Sequence, residues 1–235
     1  MNFSKIKKEL LSLRDPKQAA IYQRFFKTGK GEYSEGDVFL GIKVPILRQI
    51  AKKYQDVSLE VIQELLDDKI HELRFLALVI LIKKFQRKNN STKDKKNIFL
   101  FFLKNTKNIN NWDLVDISAP SIPGVYLYEF SQDRKTLYRL VKSKNLWERR
   151  IAILSCFYFI RQNDFKDFLK IARGLIDDEH DLIHKALGWM LREIGKRDLK
   201  ILESFLEKHK KQMPRVMLRY AIEKMSKEKR KYYLS

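Results

Sequence analysis

The stretch from Leu146 to Arg161 reads LWERRIAILSCFYFIR, and its apolar residues recur at helical spacing. Two other segments have the same character: ELRFLALVILIKKF from Glu72 to Phe85, and DLIHKALGWMLREIGK from Asp181 to Lys196. Helical periodicity extends over most of the remaining chain, and no alternating strand pattern is bounded by hairpin turns. The sequence therefore predicts an all-α fold.

These segments share a marker, a basic residue followed three positions later by a small one: Arg74/Ala77, Arg149/Ala152 and Lys185/Gly188. Arg149 follows Arg74 by 75 positions and Lys185 follows Arg149 by 36, close to two periods and one period of the ~34 to 47-residue helical-hairpin repeats. One further repeat is expected near residue 111. Small residues let paired helices approach closely, and stacked pairs form an α-α superhelix, a solenoid with an extended concave surface.

The composition suits one globular chain of regular helices. It has 235 residues, 44% of them hydrophobic, with only 8 Gly and 5 Pro, so we expect a single repeat domain over residues 1–235 and a monomer. The single Cys156 excludes an internal disulfide framework and a multi-cysteine zinc site, which suits a reducing, cytoplasmic location. The first residues lack a signal peptide's apolar run, and no uncharged segment reaches the ~18 residues of a membrane span.

The charge points to a polyanionic partner. There are 49 Lys+Arg against 29 Asp+Glu, a formal net charge of +20, and nucleic acid is the natural counterpart of such a protein. The alternative is a solvated basic surface without a target, because the Lys, Asn and Ile bias is also typical of a genome whose base composition favours those codons.

Local signals place some element boundaries. Asp15 is an N-cap followed by Pro16, which predicts a helix to about Phe26. The next stretch, Lys27 to Val44, is predicted to be a loop because it holds half of the glycines, without a phosphate-binding motif. Arg87 to Lys96 is polar and predicted to be an exposed loop between helices.

The segment Asn111 to Ser118, NWDLVDIS, carries the strongest candidate for chemistry. On a helix Trp112 and Asp116 stand at i and i+4, so an aromatic ring and a carboxylate share one face, which could serve a cationic ligand. A carboxylate directed at bound nucleic acid weakens binding, so it suggests chemistry at a site that becomes positive. The alternatives are a core tryptophan, a helix-capping aspartate, and an ion pair with Arg150.

The repeat register supports a functional Asp116. The equivalent positions in the other three repeats are apolar, namely Val79, Leu154 and Met190, and a carboxylate at such a position must be paired or functional. In the same register Arg150, Trp189 and Asp116 fall within roughly 100° of helix circumference. We therefore expect successive repeats to present them on one common, concave face.

The second half of the chain holds the remaining candidates. Trp189 and Arg192 stand at i and i+3, where the indole is either core or a ligand contact, and the guanidinium reaches a phosphate or a neighbouring carboxylate. Arg149 and Arg150 lie near a helix start, where the dipole disfavours cations, so they bind an anion or are simply solvated.

Two histidines and the cysteine have plainer explanations. His180 and His184 are spaced i and i+4 among acidic residues, which is compatible with a metal site and also with an acidic, capped helix start. Cys156 sits in an apolar run and is interpreted as a small core residue.

Four motifs together resemble the AlkD family of bacterial DNA alkylation-repair glycosylases, which are built from HEAT-like helical repeats. The resemblance covers nearly the whole chain, and the motifs occur in order with similar spacing. They are Phe39-Leu-Gly-Ile42 with Pro45 and Arg48, Trp112-Asp-Leu-Val-Asp116, Trp147-Glu-Arg-Arg-Ile-Ala-Ile-Leu154 and Lys185-Ala-Leu-Gly-Trp-Met-Leu-Arg-Glu193.

The resemblance implies a HEAT-like solenoid with a concave basic groove, and excision of cationic alkylated purines, typically 3-methyladenine and 7-methylguanine, from duplex DNA. It implies no metal, no cofactor and no flipping of the damaged base into a pocket. It assigns roles residue by residue: Asp116 is the catalytic carboxylate, Trp112 and Trp189 contact the lesion backbone, and Arg150 and Arg192 hold phosphates.

One position departs from the family pattern. The family's aromatic partner near the N-terminus is usually Tyr, and the best match here is Phe25, which keeps the ring and loses the hydroxyl. Two other functional classes stay open. A non-catalytic nucleic-acid-binding solenoid would keep the basic charge without using Asp116, and a scaffold for protein partners would expose an apolar groove.

Overall fold

A computed structural model describes residues 2–131 and 133–235. Within these ranges the chain forms helices and no β-strand, apart from one isolated parallel bridge between Val38 and Ile70. The predicted all-α fold is confirmed and is consistent with a helical-repeat solenoid. Every helix in the described part of the chain is too short or too polar to cross a membrane.

The chain forms two compact units, one ending at Ser118 and the other running from Ala119 to Ser235. The helices of the first unit are α1 (Phe3–Ser12), α2 (Pro16–Phe25), α3 (Val44–Lys53), α4 (Leu59–Leu66), α5 (His71–Phe85), α6 (Thr92–Lys104) and α7 (Trp112–Ser118). Those of the second are α8 (Val125–Glu129), α9 (Lys135–Val141), α10 (Leu146–Arg161), α11 (Lys166–Gly174), α12 (Asp181–Gly195), α13 (Leu199–His209), α14 (Arg215–Ala221) and α15 (Lys227–Leu234). The single repeat domain and its concave basic groove stay predictions.

The three segments that suggested a repeat are the longest helices, α5, α10 and α12. In the first unit α5 packs against α3, α4 and α7, and it is buried on nearly every face. In the second unit α10 packs against α9 and α12, and α12 packs against α13 and α14. The apolar periodicity therefore marks the helices that form the core of each unit.

The marker residues of the repeat have structural roles. Arg74 donates to Asp37 Oδ1 at 2.7 Å, and Arg149 donates through Nε to Asp178 Oδ2, also at 2.7 Å. Gly188 lies where α12 meets α14, and a Cβ at this position would come within 2.5 Å of the Met217 carbonyl oxygen. The expected close helix approach is therefore present at Gly188.

Capping chemistry decides two boundaries. The side chain of Asp15 accepts a hydrogen bond from the Gln18 N–H at 3.0 Å, which confirms the predicted start of α2. The prediction of a loop from Arg87 to Lys96 was wrong at its end, because α6 begins at Thr92. Ser91 and Asp94 form a capping box there, each side chain accepting a hydrogen bond from the other residue's backbone N–H.

The repeat expected near residue 111 corresponds to α7, which begins at Trp112. The second unit then opens with a π-helical segment, Pro120–Gly124, that leads into α8. Proline has no N–H, so Pro123 cannot donate to the Ala119 carbonyl four residues earlier. Gly124 donates to that carbonyl at 2.8 Å, and this wider turn is the reason for the π geometry.

Candidate active site

The first two turns of α7 carry the aromatic and acidic residues predicted from the sequence. The Asn111 side chain precedes the helix and accepts a hydrogen bond from the backbone N–H of Trp112 at 2.8 Å. Trp112 begins α7 and Asp116 follows one turn later, so both side chains project from the same helix face. Each is half-buried. The predicted i and i+4 spacing on one helix is therefore present.

The indole of Trp112 is supported by an aromatic stack. It lies nearly parallel to the ring of Phe26, with centroids 5.2 Å apart and an interplanar angle of 18°. Phe26 stacks in turn on Phe39 at 4.9 Å. Phe25 meets the indole edge-on at 5.8 Å and is 61% exposed. Phe26 thus forms the support, while the predicted lesion contact, Phe25, presents its ring at the surface beside Trp112.

A buried polar network lies beneath this stack. The His71 side chain is 4% exposed and lies between two carboxylates. Its Nε2 is 2.8 Å from Asp113 Oδ2, and its Nδ1 is 3.3 Å from Asp37 Oδ2. Asp37 also accepts a hydrogen bond from Arg74. The network joins the first residue of α5, the glycine-bearing loop and the first turn of α7.

The network favours a protonated histidine. Burial alone would lower the pKa of His71, but the charge of Asp113 and the hydrogen bonds with Asp113 and Asp37 outweigh burial and raise that pKa to about 9. Burial would likewise raise the pKa of Asp37, yet His71 and Arg74 hold it below its ordinary value. At neutral pH an imidazolium therefore donates to a carboxylate from each ring nitrogen.

The glycine-bearing loop is held by a second buried carboxylate. Glu72 is 2% exposed and accepts hydrogen bonds from the backbone N–H groups of Leu40 at 2.9 Å and Gly41 at 2.8 Å. Gly41 has φ +84°, and a Cβ at this position would lie 2.3 Å from the Asp15 carbonyl oxygen. The end of the loop is therefore fixed against α5 and the start of α2.

In the second unit, Trp189 and Arg192 both have protein partners. The Trp189 Nε1 donates to Glu193 Oε1 at 3.2 Å, and its half-buried ring lies 5.6 Å from that of Phe157. Arg192 forms an ion pair with Glu223, and its Nε lies 3.7 Å from Glu193 Oε1. Of the two partners predicted for Arg192, the neighbouring carboxylate is present in the structure.

Arg149 and Arg150 are engaged at the start of α10. Arg149 pairs with Asp178, and Arg150 is 5% exposed and donates to the Leu182 carbonyl oxygen at 2.6 Å. The interpretation of these residues as simply solvated arginines is therefore wrong for both. Only a small part of the Arg150 side chain is accessible to a ligand.

His180 and Cys156 have the roles that their plainer explanations predict. His180 caps α12, accepting through Nδ1 a hydrogen bond from the Leu182 N–H at 3.1 Å. In the ranges that the structure describes, no group of three or more His, Cys, Asp or Glu residues is placed to hold a metal ion. Cys156 is fully buried in α10.

Sequence reasoning missed the residues around α7. The role of Asp113 is not visible in the sequence, because its partner His71 lies 42 positions earlier and no local spacing connects them. The sequence predicts Phe25 as the aromatic partner of Trp112, whereas its neighbour Phe26 provides the stacked support. One signal was available: the apolar run of α5 opens with three polar residues, His71, Glu72 and Arg74, all of which are buried.

The sequence as a whole identifies the class of protein. Residues 6–225 match the family described as DNA alkylation repair enzyme, which is nearly the whole chain. The chain therefore belongs to the DNA alkylation repair enzyme family, consistent with its AlkD-like resemblance. This family implies an enzyme whose substrate is DNA.

A solved structure shares the fold, that of a predicted DNA alkylation repair enzyme from Enterococcus faecalis. The two chains are 18% identical, the match covers 91% of this chain and 97% of that chain, and the TM-score is 0.68. At this level of identity the likeness shows the fold alone. A comparison with curated proteins gave no match.

Proposed function

We propose that this protein is a monofunctional DNA glycosylase that hydrolyses the N-glycosidic bond of cationic alkylated purines, such as 3-methyladenine and 7-methylguanine, in duplex DNA. The observation that carries the proposal is the placement of Asp116 on α7, one helical turn after Trp112. Membership of a DNA alkylation repair family and a net charge of +20 support DNA as the substrate.

The chemistry of the leaving group explains why one carboxylate suffices. When the bond between C1′ and N9 breaks, its electron pair passes to the purine and neutralises the positive charge. The base therefore leaves without a general acid. What needs stabilisation is the positive charge that develops on the sugar as it becomes oxocarbenium-like.

Asp116 would supply that stabilisation in two ways. Its negative charge faces the developing positive charge of the sugar, and it orients a water molecule whose oxygen bonds to C1′. The proton released by the water passes to the carboxylate. The face of Trp112 attracts the polarised sugar and the cationic base, and its stacking on Phe26 holds the indole in place.

The second unit would bind the DNA backbone. In the proposal Trp189 contacts the lesion strand, and Arg150 and Arg192 hold phosphates, with Arg192 exchanging its ion pair with Glu223 for a phosphate. Phe25, exposed beside Trp112, would contact the lesion from the first unit. Following the family resemblance, we propose that the damaged base reacts without being flipped into a pocket.

The test is a single-turnover glycosylase assay on duplex DNA containing 7-methylguanine. Asp116→Asn keeps the shape of the side chain and removes its charge, so we expect excision to slow by roughly 10² to 10³. DNA affinity should hold or improve, because a negative charge leaves a phosphate-binding surface. The matched control is Asp56→Asn, which removes a 78% exposed carboxylate from the same unit and should leave the rate unchanged.

A neutral lesion provides a second arm of the assay. Ethenoadenine should be a poor substrate for the wild type, because no general acid assists its departure. A full rate for Asp116→Asn, or equal excision of neutral and cationic bases, would contradict the mechanism. Retained DNA binding without excision of either lesion by the wild type would favour a non-catalytic nucleic-acid-binding repeat protein.

A further inference from the structure

Three consecutive residues at the start of α7 are each held by a different partner within the first unit. Asn111 is fully buried and donates to Ser34 Oγ at 2.7 Å. The indole of Trp112 rests on the aromatic stack. The carboxylate of Asp113 lies 2.8 Å from His71 Nε2. The orientation of α7 therefore depends on contacts that residues at its start make outside the helix.

Among these residues, Asp113 is the nearest in sequence to Asp116, the carboxylate of the proposed mechanism. Asp116 follows Asp113 by three positions on the same helix, so the two side chains lie roughly 60° apart around the helix axis. A rotation or shift that follows the loss of the Asp113 contact also moves Asp116. The position of Asp116 thus depends on what Asp113 binds.

His71 is fixed independently of α7. Its side chain is 4% exposed, its Nδ1 faces Asp37, and its ring stacks on Phe39 with centroids 4.5 Å apart. Asp37 is itself held by the ion pair with Arg74. The imidazolium is therefore a rigid anchor to which α7 is attached by one charged hydrogen bond.

We propose that His71 is a positioning residue for the glycosylase reaction: it holds Asp113 and, through α7, sets the position of the Asp116 carboxylate. The inference rests on the proposed function, because it takes Asp116 as the catalytic group. His71 contacts no reacting atom in this scheme. A carboxylate displaced by about 1 Å can cost roughly 10²-fold in rate, so a lost anchor has a measurable effect.

Two substitutions distinguish the contributions of the two ring nitrogens of His71. In His71→Asn the amide reaches only the position of Nδ1, so the donor to Asp113 is lost. In His71→Gln the amide reaches the position of Nε2, so a neutral donor to Asp113 is kept. We expect single-turnover excision of 7-methylguanine to fall by about 10- to 100-fold in His71→Asn and by much less in His71→Gln. Both variants should keep wild-type affinity for undamaged duplex.

A control variant distinguishes positioning from general damage to the fold. Tyr54→Phe removes the hydroxyl of a buried residue that donates to Glu9, a contact outside the His71 network. It should lower the melting temperature of the protein while leaving the excision rate of the folded enzyme unchanged. A rate loss in Tyr54→Phe as large as in His71→Asn would overturn the positioning role.

A double-mutant cycle with Asp116→Asn completes the test. If His71 acts through Asp116, adding His71→Asn to Asp116→Asn should slow excision little further. Additive losses would overturn the inference and leave the role of Asp116 intact. A full rate for Asp116→Asn alone would overturn the proposed function and this inference together, so the two failures are distinguishable.

Discussion

At the scale of single residues, the buried side chain of His71 connects the core of the first unit to α7, the helix that carries Asp116. Neutral histidine has one donor nitrogen and imidazolium has two, and both hydrogen-bond partners of His71 are carboxylates. The charged groups around it are Asp37 from the loop, Asp113 from α7 and Arg74 from its own helix, and the last opposes protonation. Only the protonated ring satisfies both carboxylates.

This arrangement predicts that the free energy of unfolding decreases as the pH rises. The pKa of His71 is about 9 in the folded protein and about 6.5 in an unfolded chain. The folded state therefore binds the proton more tightly, and the stabilisation is complete below pH 6.5 and lost as the pH rises through 9. Its size is on the order of 3 kcal/mol.

Urea unfolding of wild type and His71→Gln at several pH values between 6 and 9.5 would measure this effect. Other groups titrate in both proteins, so the difference between the two curves isolates the contribution of His71. The difference should shrink as the pH rises. A constant difference over this range would mean that His71 is neutral in the folded protein.

At the scale of elements, the packing of α12 against α14 makes a sharp prediction. A Cβ on Gly188 would lie 2.5 Å from the Met217 carbonyl oxygen and 2.5 Å from Tyr220 Cβ, so Gly188→Ala must force the helices apart. We expect a loss of about 1–3 kcal/mol in stability. Gly174, the last residue of α11, has no such neighbour within 4 Å, and Gly174→Ala should be neutral or stabilising by about 0.4–1 kcal/mol.

Thermal denaturation of Gly188→Ala and Gly174→Ala tests these two expected changes in stability. The two substitutions add the same methyl group to a helical glycine of the second unit, so intrinsic helix propensity favours both. Opposite effects on the melting temperature would therefore report the contact between α12 and α14. A stabilised Gly188→Ala would contradict this packing.

Elements differ in how far the sequence predicts them. The helices α5, α10 and α12 were predicted within a residue or two, because their apolar periodicity is a local property of each segment. The π-helical segment Pro120–Gly124 was not predicted, since two prolines there signal a break without specifying its geometry. The contact between His71 and Asp113 could not be predicted, because the two residues are 42 positions apart and only the folded chain brings them together.

At the scale of the whole molecule, the net charge of +20 predicts that phosphate contacts dominate the proposed binding to DNA. Affinity for undamaged duplex should fall steeply with salt, with a log–log slope of about −0.9 for each phosphate contacted. Binding isotherms between low and physiological salt would measure the slope. Binding that does not respond to salt would exclude phosphate contacts as the source of affinity.

The ion pair between Arg192 and Glu223 turns this general expectation into a specific one. A phosphate that binds Arg192 competes with the Glu223 carboxylate, so Glu223→Gln should strengthen duplex binding, whereas Arg192→Ala should weaken it and reduce the salt slope by about one. Phosphate contacts carry no base information, so both effects should be equal across DNA sequences.

Glu223 has a second cationic partner, Lys224, which has to be distinguished from Arg192. Glu223 also lies 3.2 Å from Lys224 Nζ, whose side chain is 62% exposed, so the gain from Glu223→Gln has two possible sources. If Arg192 holds the phosphate, the gain should vanish when Arg192→Ala is added and persist when Lys224→Ala is added. The reverse pattern would assign the contact to Lys224, and a gain that survives both additions would mean that Glu223 acts only through its own charge.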